Sequence, residues 1–464
     1  MISSKERDSK EPEGLSKDLP WRSFCSFGAI FSFLACSILR GADWPQFHGP
    51  AGAGIAPDAK PALKWSDTEN VQWKTQLPGP GTSSPIVTGQ RVVVTCWSGY
   101  GDSGSGGSRK TFERHLVCLE RQTGKVLWSK SIPAEKNPDQ YEQFLQEHGY
   151  ASHTPVTDGE NIYVYFGKGG AMAFDMSGRQ LWQTNLGTGS NAKNWGSASS
   201  PVLYKDSLII NASEESHAIY ALAKNNGKVL WKSEAAALEY VFGTPALAQH
   251  GSSTDLVIAV PDELWGLNPE TGKVRWYSQT SISGNVAPSV VAGEGVVFAF
   301  GGFPRLGAVA VKLGGRGEVT KTHLAWSGKD SSYVPTPVLY EGKLFFASDA
   351  GFATCLDAAT GQLIFKERLP GASASGPGGK PVYASAVLAN GNVYAVTRWN
   401  GTFVFAAKGE FELVAHNRLA SDKSQFNATP AIVDRQIFLR SDRFLYCIGA
   451  VEAEVNRKAQ NKQT

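Results

Sequence analysis

Short apolar runs separated by Gly, Asn and Asp turns recur along the chain from about residue 60 to residue 449. One unit shows the pattern plainly. Pro201-Val202-Leu203-Tyr204 predicts a first strand, Ser207–Asn211 a second, Ala218–Leu222 a third and Lys228–Trp231 a fourth. Asn226-Gly227, between the third and fourth, is a hairpin signal because Gly accepts positive φ. No long 3.6-residue periodicity interrupts this. The unit then repeats. Its closing phrase reads CLERQTGKVLW (118–128), AFDMSGRQLW (173–182), ALAKNNGKVLW (221–231), GLNPETGKVRW (266–276) and CLDAATGQLIF (355–365). Its opening phrase, a small or polar residue before proline, occurs at Ser84, Thr154, Ser200, Thr244, Ala287, Thr336 and Thr429, and Ser385-Ala386-Val387 fills the remaining slot without proline. A period of about 45 residues with four strands per unit predicts an all-β, eight-bladed β-propeller. The last unit stops near Gly449 after three strands. Val71–Thr75, with its Trp73-Lys74, supplies the missing fourth and closes the ring, removing open sheet edges.

Composition agrees with this picture. The 464 residues include 50 Gly, 24 Pro and 13 Trp, and are 42% hydrophobic and 19% charged, which suits a folded chain of short strands. The formal charge of +3 argues against a nucleic-acid binder working through bulk charge. Residues 24–39 are uncharged and mostly apolar, too short for a spanning helix of about 20 residues and fitting a secretory h-region. A cut after Ala42 would release the mature chain. Phe33-Leu34-Ala35-Cys36 also resembles a lipobox, which would place a lipid on Cys36. The expected domains are a leader at 1–42, an N-terminal segment at 43–59, the propeller at 60–449 and a polar tail at 450–464. The expected location is the periplasm or cell envelope of a bacterium, or outside it. Membrane association would run only through the leader or a lipid at Cys36.

The tryptophan-ending phrases resemble the pyrroloquinoline quinone (PQQ)-like repeat family. It includes quinoprotein dehydrogenases, the propeller lipoprotein of outer-membrane assembly and many secreted bacterial proteins. The resemblance implies an eight-bladed propeller across nearly all the mature chain. Trp73, Trp128, Trp182, Trp231, Trp276 and Phe365 are read as docking aromatics packed against neighbouring blades, not as cofactor contacts. Cys118, Cys355 and Cys447 fall where other units carry Ala173, Ala221 or Gly266, so they are read as small core residues. Cys96 and Cys118 are the pair to test for a disulfide. The dehydrogenases' adjacent cysteine pair, calcium ligands and haem motif have no counterpart here. No cofactor is predicted, and PQQ with calcium is the alternative; a metal site is unknown.

Candidate chemistry lies in the loops. Ile132–Tyr150 is an insertion between the first and second units, read as a short amphipathic helix that caps or rims the channel. His148, Tyr150, His153, Asn194, Trp195, Tyr333, Arg398 and Trp399 are the binding candidates on the channel face. Glu214 and Glu215 are read as a solvated turn. The expected function is a non-catalytic binding or scaffold role for an envelope protein, peptide or glycan partner, with no nucleic acid. The alternatives are a quinoprotein-like oxidoreductase with its site at the channel mouth and an outer-membrane assembly lipoprotein.

Overall fold

The computed structural model describes residues 43–102, 107–133, 138–372 and 379–450. The expected leader, Cys36 and the tail beyond residue 450 lie outside the described residues, as does most of the Ser103–Ser108 loop. Eight sheets follow one another, each built on four antiparallel strands in sequential order. Blade three is typical, with strands Val202–Tyr204, Ser207–Ala212, Ala218–Ala223 and Val229–Glu234. Blade eight is completed by Val71–Gln76, which pairs antiparallel with Phe444–Ile448 and sets Trp73 opposite Cys447. The inner strand of blade eight, Ala431–Val433, lies beside that of blade one, Ile86–Thr88, so the ring closes.

The two middle strands of each blade are buried on both faces because a neighbouring blade covers each side. Accordingly they read as unbroken apolar runs, such as Ser207–Ala212 and Ala218–Ala223. The core is therefore a set of inter-blade layers; one joins Tyr163, Tyr165 and Trp182 of blade two to Leu208, Ile210 and Leu222 of blade three. Each docking aromatic sits opposite a small residue: Trp128 faces Cys118, Trp231 faces Ala221 and Phe365 faces Cys355. The indole N–H then donates to a turn carbonyl of the next blade. Trp73 Nε1 reaches Arg121 O (2.9 Å), Trp128 Met176 O (3.1 Å), Trp182 Lys224 O (2.7 Å) and Trp231 Pro269 O (3.1 Å).

Blades four, five and seven depart from this pattern. Trp276 packs in the layer between blades four and five, but its Nε1 donates to Asp255 Oδ2 (2.8 Å) of its own blade. The matching turn of blade five is expanded by Gly317–Glu318 and Thr320–His323, and Gly317–Glu318 runs parallel to Trp276 and Tyr277 instead. That expansion also hid a further docking residue, Trp326, whose Nε1 donates to Ala358 O (2.9 Å). In blade seven the slot holds Ala415, and Trp65, which precedes the closing strand Val71–Gln76, packs in the same core layer, stacked on Tyr394 at 6.4 Å. The four described cysteines are free and buried; Cys118 pairs with Val93 and Cys96 with His115, so no Cys96–Cys118 disulfide forms.

The N-terminal segment does more than precede the ring. Trp44 exchanges backbone hydrogen bonds with Val87 of blade one (2.9 Å), and Pro45 O accepts from Thr157 N of blade two (2.9 Å). Ile55–Ala56 then runs parallel to Leu388–Ala389 of blade seven, and Lys60 N donates to Asp434 O of blade eight (2.7 Å). All these partners lie at the far ends of inner strands, so the segment covers that end of the channel. Its turn needs glycine at position 49, where φ is +66° and a Cβ would fall 2.6 Å from the Trp44 ring.

Candidate functional site

A belt of hydroxyls surrounds the channel at the start of the inner strands. Ser84 N donates to Thr154 Oγ1 (2.9 Å), Thr154 N to Ser200 Oγ (2.9 Å) and Ser200 N to Thr244 Oγ1 (3.0 Å). The chain continues through Ser289, Thr336 and Ser385 to Thr429, each step 2.9–3.0 Å. This explains the opening phrase. A residue before proline is held extended, and in seven of the eight blades the hydroxyl of the belt accepts the N–H of the preceding blade; Ser84 Oγ has no such partner. In blade five the position is Ser289, two residues beyond the Ala287-Pro288 that the sequence suggested.

The belt lines a cavity of about 150 Å³ in the channel. Phe47 of the N-terminal segment borders it, and so do Phe144, Glu147 and His148 of the insertion. The insertion forms one helical turn, Leu145–His148, shorter than the expected helix. It is tied across the ring. Glu147 Oε2 accepts from Arg398 Nη2 of blade seven (2.6 Å), and Glu147 O accepts from Asn427 Nδ2 (3.0 Å). His148 Nε2 lies 2.8 Å from Trp195 O, and Nδ1 lies 2.6 Å from Ser152 Oγ. A carbonyl only accepts, so Nε2 carries the proton. Burial holds the His148 pKa below its ordinary value, which keeps the ring neutral.

The other candidates separate into two groups. Tyr333 lines the cavity, and Trp195 packs beside it on Phe144 at 5.0 Å, with Lys193 Nζ 4.4 Å above the indole. Arg398 is fully buried, bonded to Glu147, Gln425 and Asn427 and stacked on Tyr383 at 4.5 Å. Tyr150 belongs to the core instead: it packs with Trp97 and Phe112, and its hydroxyl donates to Asp139 O (2.6 Å). Asn194 is exposed with φ +53° and does not line the cavity. Trp399 lies outside the cavity, beside a separate groove.

His153 leads to a feature that the sequence reading missed. It is buried, and its Nε2 lies 3.0 Å from Ser197 Oγ, which donates to Glu215 Oε1 at 2.5 Å. Glu214 accepts from Asn191 Nδ2. Glu214 and Glu215 are thus buried in the turn Ser213–Ser216 and do not form a solvated turn; the loop 187–197 folds over them. Burial, then the neighbouring Glu215, pushes the Glu214 carboxyl up to about 8. Burial also raises Glu215 and lowers His153 to about 3. Between pH 4.5 and 8 the folded protein therefore holds a proton on Glu214 that the unfolded chain has released, so stability falls as pH rises through that window. Glu214→Gln is expected to reduce the fall by on the order of 1–3 kcal/mol. Urea unfolding at pH 5 and pH 8 checks this; an unchanged pH dependence would contradict a protonated Glu214.

The channel lining bears on the quinone alternative. Its residues include one carboxylate, Glu147, and neither lysine nor arginine. PQQ carries three carboxylates, and the lining offers them no cation of its own, since its one charged residue is Glu147, already paired with Arg398. The lining does not suit that group.

Blades joined by docking aromatics, with Val71–Gln76 closing the ring, define this chain as an eight-bladed β-propeller whose repeats are similar to those of the PQQ-like family. A family model described as outer membrane protein assembly factor BamB matches residues 105–251. The chain is 25% identical over 243 residues to outer membrane protein assembly factor BamB of Yersinia pestis, covering 47% of this chain and 58% of that protein. It is 22% identical over 372 residues to tetrathionate hydrolase of Acidithiobacillus ferrooxidans, covering 72% of this chain and 66% of that protein. The chain therefore spans less than two thirds of each of these relatives. The crystal structure of BamB from Moraxella catarrhalis superposes with a TM-score of 0.55 at 11% identity, covering 81% of this chain and 96% of that one. That likeness shows the fold.

Proposed function

We propose that the protein is a non-catalytic binding or scaffold propeller of the bacterial cell envelope whose channel-side loops engage a protein partner. The observation that carries this reading is an arc of aromatic side chains around the channel mouth, half-buried at Phe144, Trp195 and Phe242, exposed at Phe303 and joined through buried Tyr333. Phe144 lies 5.0 Å from Trp195 and 6.3 Å from Tyr333; Trp195 lies 6.4 Å from Phe242, and Tyr333 lies 5.3 Å from Phe303, itself 50% exposed. Aromatic anchors on rigid loops are what protein interfaces use most effectively. The likeness to proteins named assembly factors supports the same reading. A lipid at Cys36 would make the protein an anchored member of that class, and the mass of the mature N-terminus tests it.

The main test is photo-crosslinking in the native cell. A crosslinker at position 195 or 303 is expected to trap a defined protein. The same group at position 230, on an outer strand where Leu230 is 54% exposed, is expected to trap none. Equal adducts at all three positions, or none at 195 and 303, would remove the reading.

A further inference from the structure

A concavity of about 340 Å³ lies at the end of the channel that the N-terminal segment covers. Pro45, Gln46 and Phe47 bound it on one side, and the inner strands of blades two to five bound it on the other. None of the aromatic residues of the proposed docking arc lines it.

The inner strand of a blade is an edge: one side pairs with the second strand, and the other faces the channel. Where a two-residue turn joins the two strands, the pair flanking the turn is hydrogen-bonded. The residue before that pair therefore turns its N–H and C=O away from the second strand, into the channel. Val87 and Leu388 hold this place in blades one and seven. Both are used. Val87 exchanges bonds with Trp44 (2.9 Å each way), and Leu388 N donates to Gly54 O (2.8 Å). Thr157 of blade two likewise gives its N–H to Pro45 O (2.9 Å). Residues 44–56 are thus an extended stretch held by its main chain on three inner strands. Leu203 of blade three and Ala292 of blade five hold the same place, and Leu247 of blade four, two residues before it, points the same way. Their channel-facing main-chain groups have no partner among the described residues. All three residues are half-buried and line the concavity.

Two features select the occupant. The lining holds no Asp, Glu, Lys or Arg, so a charged side chain entering it would lose water and meet no counter-charge. Yet the wall offers main-chain donors and acceptors on three successive strands. An acyl chain would cover these groups and leave them unpaired, which is costly. An extended peptide pairs with them, as Trp44 pairs with Val87. We propose that this concavity binds an uncharged, extended peptide segment of a partner protein through main-chain pairing with Leu203, Leu247 and Ala292. The segment would continue over blades three to five the pairing that residues 44–56 make elsewhere in the ring.

The test uses the mature protein and two probes, a mixed pool of end-blocked octapeptides built from Val, Thr, Ala, Ser and Gln, and a fluorescent fatty acid. Peptides enriched on the immobilised protein are resynthesised, their affinity is measured by calorimetry, and amide hydrogen exchange is followed with and without them. Saturable binding of at least one peptide is expected. Exchange should slow at Leu203, Leu247 and Ala292 and stay unchanged at Val87, which is already paired. Ala246→Glu, which puts a charge in the lining, should weaken binding at least about tenfold. Leu247→Pro removes a channel-facing N–H and leaves the ladder intact, so it should bind more weakly than Leu247→Ala, which keeps that N–H. Circular dichroism melting separates lost binding from lost folding, and the exchange measurement on the unaltered chain needs no variant. No saturable peptide binding at millimolar concentration would overturn the proposal. So would binding that leaves the three amides unprotected, full affinity in folded Ala246→Glu, or a fatty acid that binds more tightly than every peptide.

Discussion

Trp182→Ala is expected to cost about 3–5 kcal/mol of stability, one of the two largest effects predicted for a single side chain. The indole is 9% exposed and sits in the layer between blades two and three. Its Nε1 donates to Lys224 O at 2.7 Å, and Gly227 lies against its face so closely that a Cβ there would fall 2.5 Å from Cε3. The neighbouring Thr184 Oγ1 donates to Gly227 O at 2.7 Å, so the contact is locked at two points. Alanine leaves a cavity that two rigid sheets cannot collapse to fill, and it strands a turn carbonyl. Trp182→Phe should cost less, since it loses the hydrogen bond but keeps most of the area; Phe365 occupies the same slot in blade six and packs on Phe411 at 5.8 Å. Urea unfolding of both variants measures this. A loss below about 1 kcal/mol for Trp182→Ala would mean that docking aromatics are not what holds adjacent blades together.

Arg398→Met is expected to cost a similar amount, about 3–5 kcal/mol, because it breaks a buried ion pair from one side. The Arg398 side chain has no exposure and that of Glu147 has 11%. Removing the guanidinium leaves the Glu147 carboxylate in the channel mouth without its 2.6 Å partner, leaves Asn427 Oδ1 without its donor and leaves Gln425 Oε1 with only the Asn427 amide. The same change should free the insertion, since Glu147 is its tie to blade seven. Two readouts therefore move together: a lower urea midpoint, and faster proteolytic cleavage within 138–150 under native conditions. Pairing Arg398→Met with Glu147→Gln restores neutrality at both ends and should recover part of the loss. If Arg398→Met unfolds earlier while cleavage of the insertion is unchanged, the arginine supports blade seven and not the cap.

The docking aromatics and the cap differ in how far the sequence reveals them. Trp128, Trp182 and Trp231 are legible because each ends a phrase whose spacing is fixed by a hairpin. Trp326 was not, because the expanded turn before it breaks that spacing. The belt hydroxyls were seen only as a habit of placing a small polar residue before proline, and Ser289 escaped because its blade carries the proline two residues early. Glu214 and Glu215 follow a strand in a short polar turn, the usual signature of exposure. Nothing local shows that the loop 187–197 folds over them. Tyr150 and Arg398 sat in similar loop contexts, yet one became core and the other a buried tie.

By itself the sequence determined the strands, the repeat, the number of blades and the closure through Val71–Thr75. These depend on hairpin turns, on apolar runs and on aromatic–glycine phrases within one repeat, all of which local patterning records. Only the tertiary structure decided that residues 44–56 cover one end of the channel, that Glu147 meets Arg398 across 251 residues of chain, and that two glutamates lose their water. These are outcomes of closing the ring, which brings loops from distant repeats to one axis. A loop residue's burial and charge state depend on which neighbours that closure delivers, and local periodicity carries no information about them.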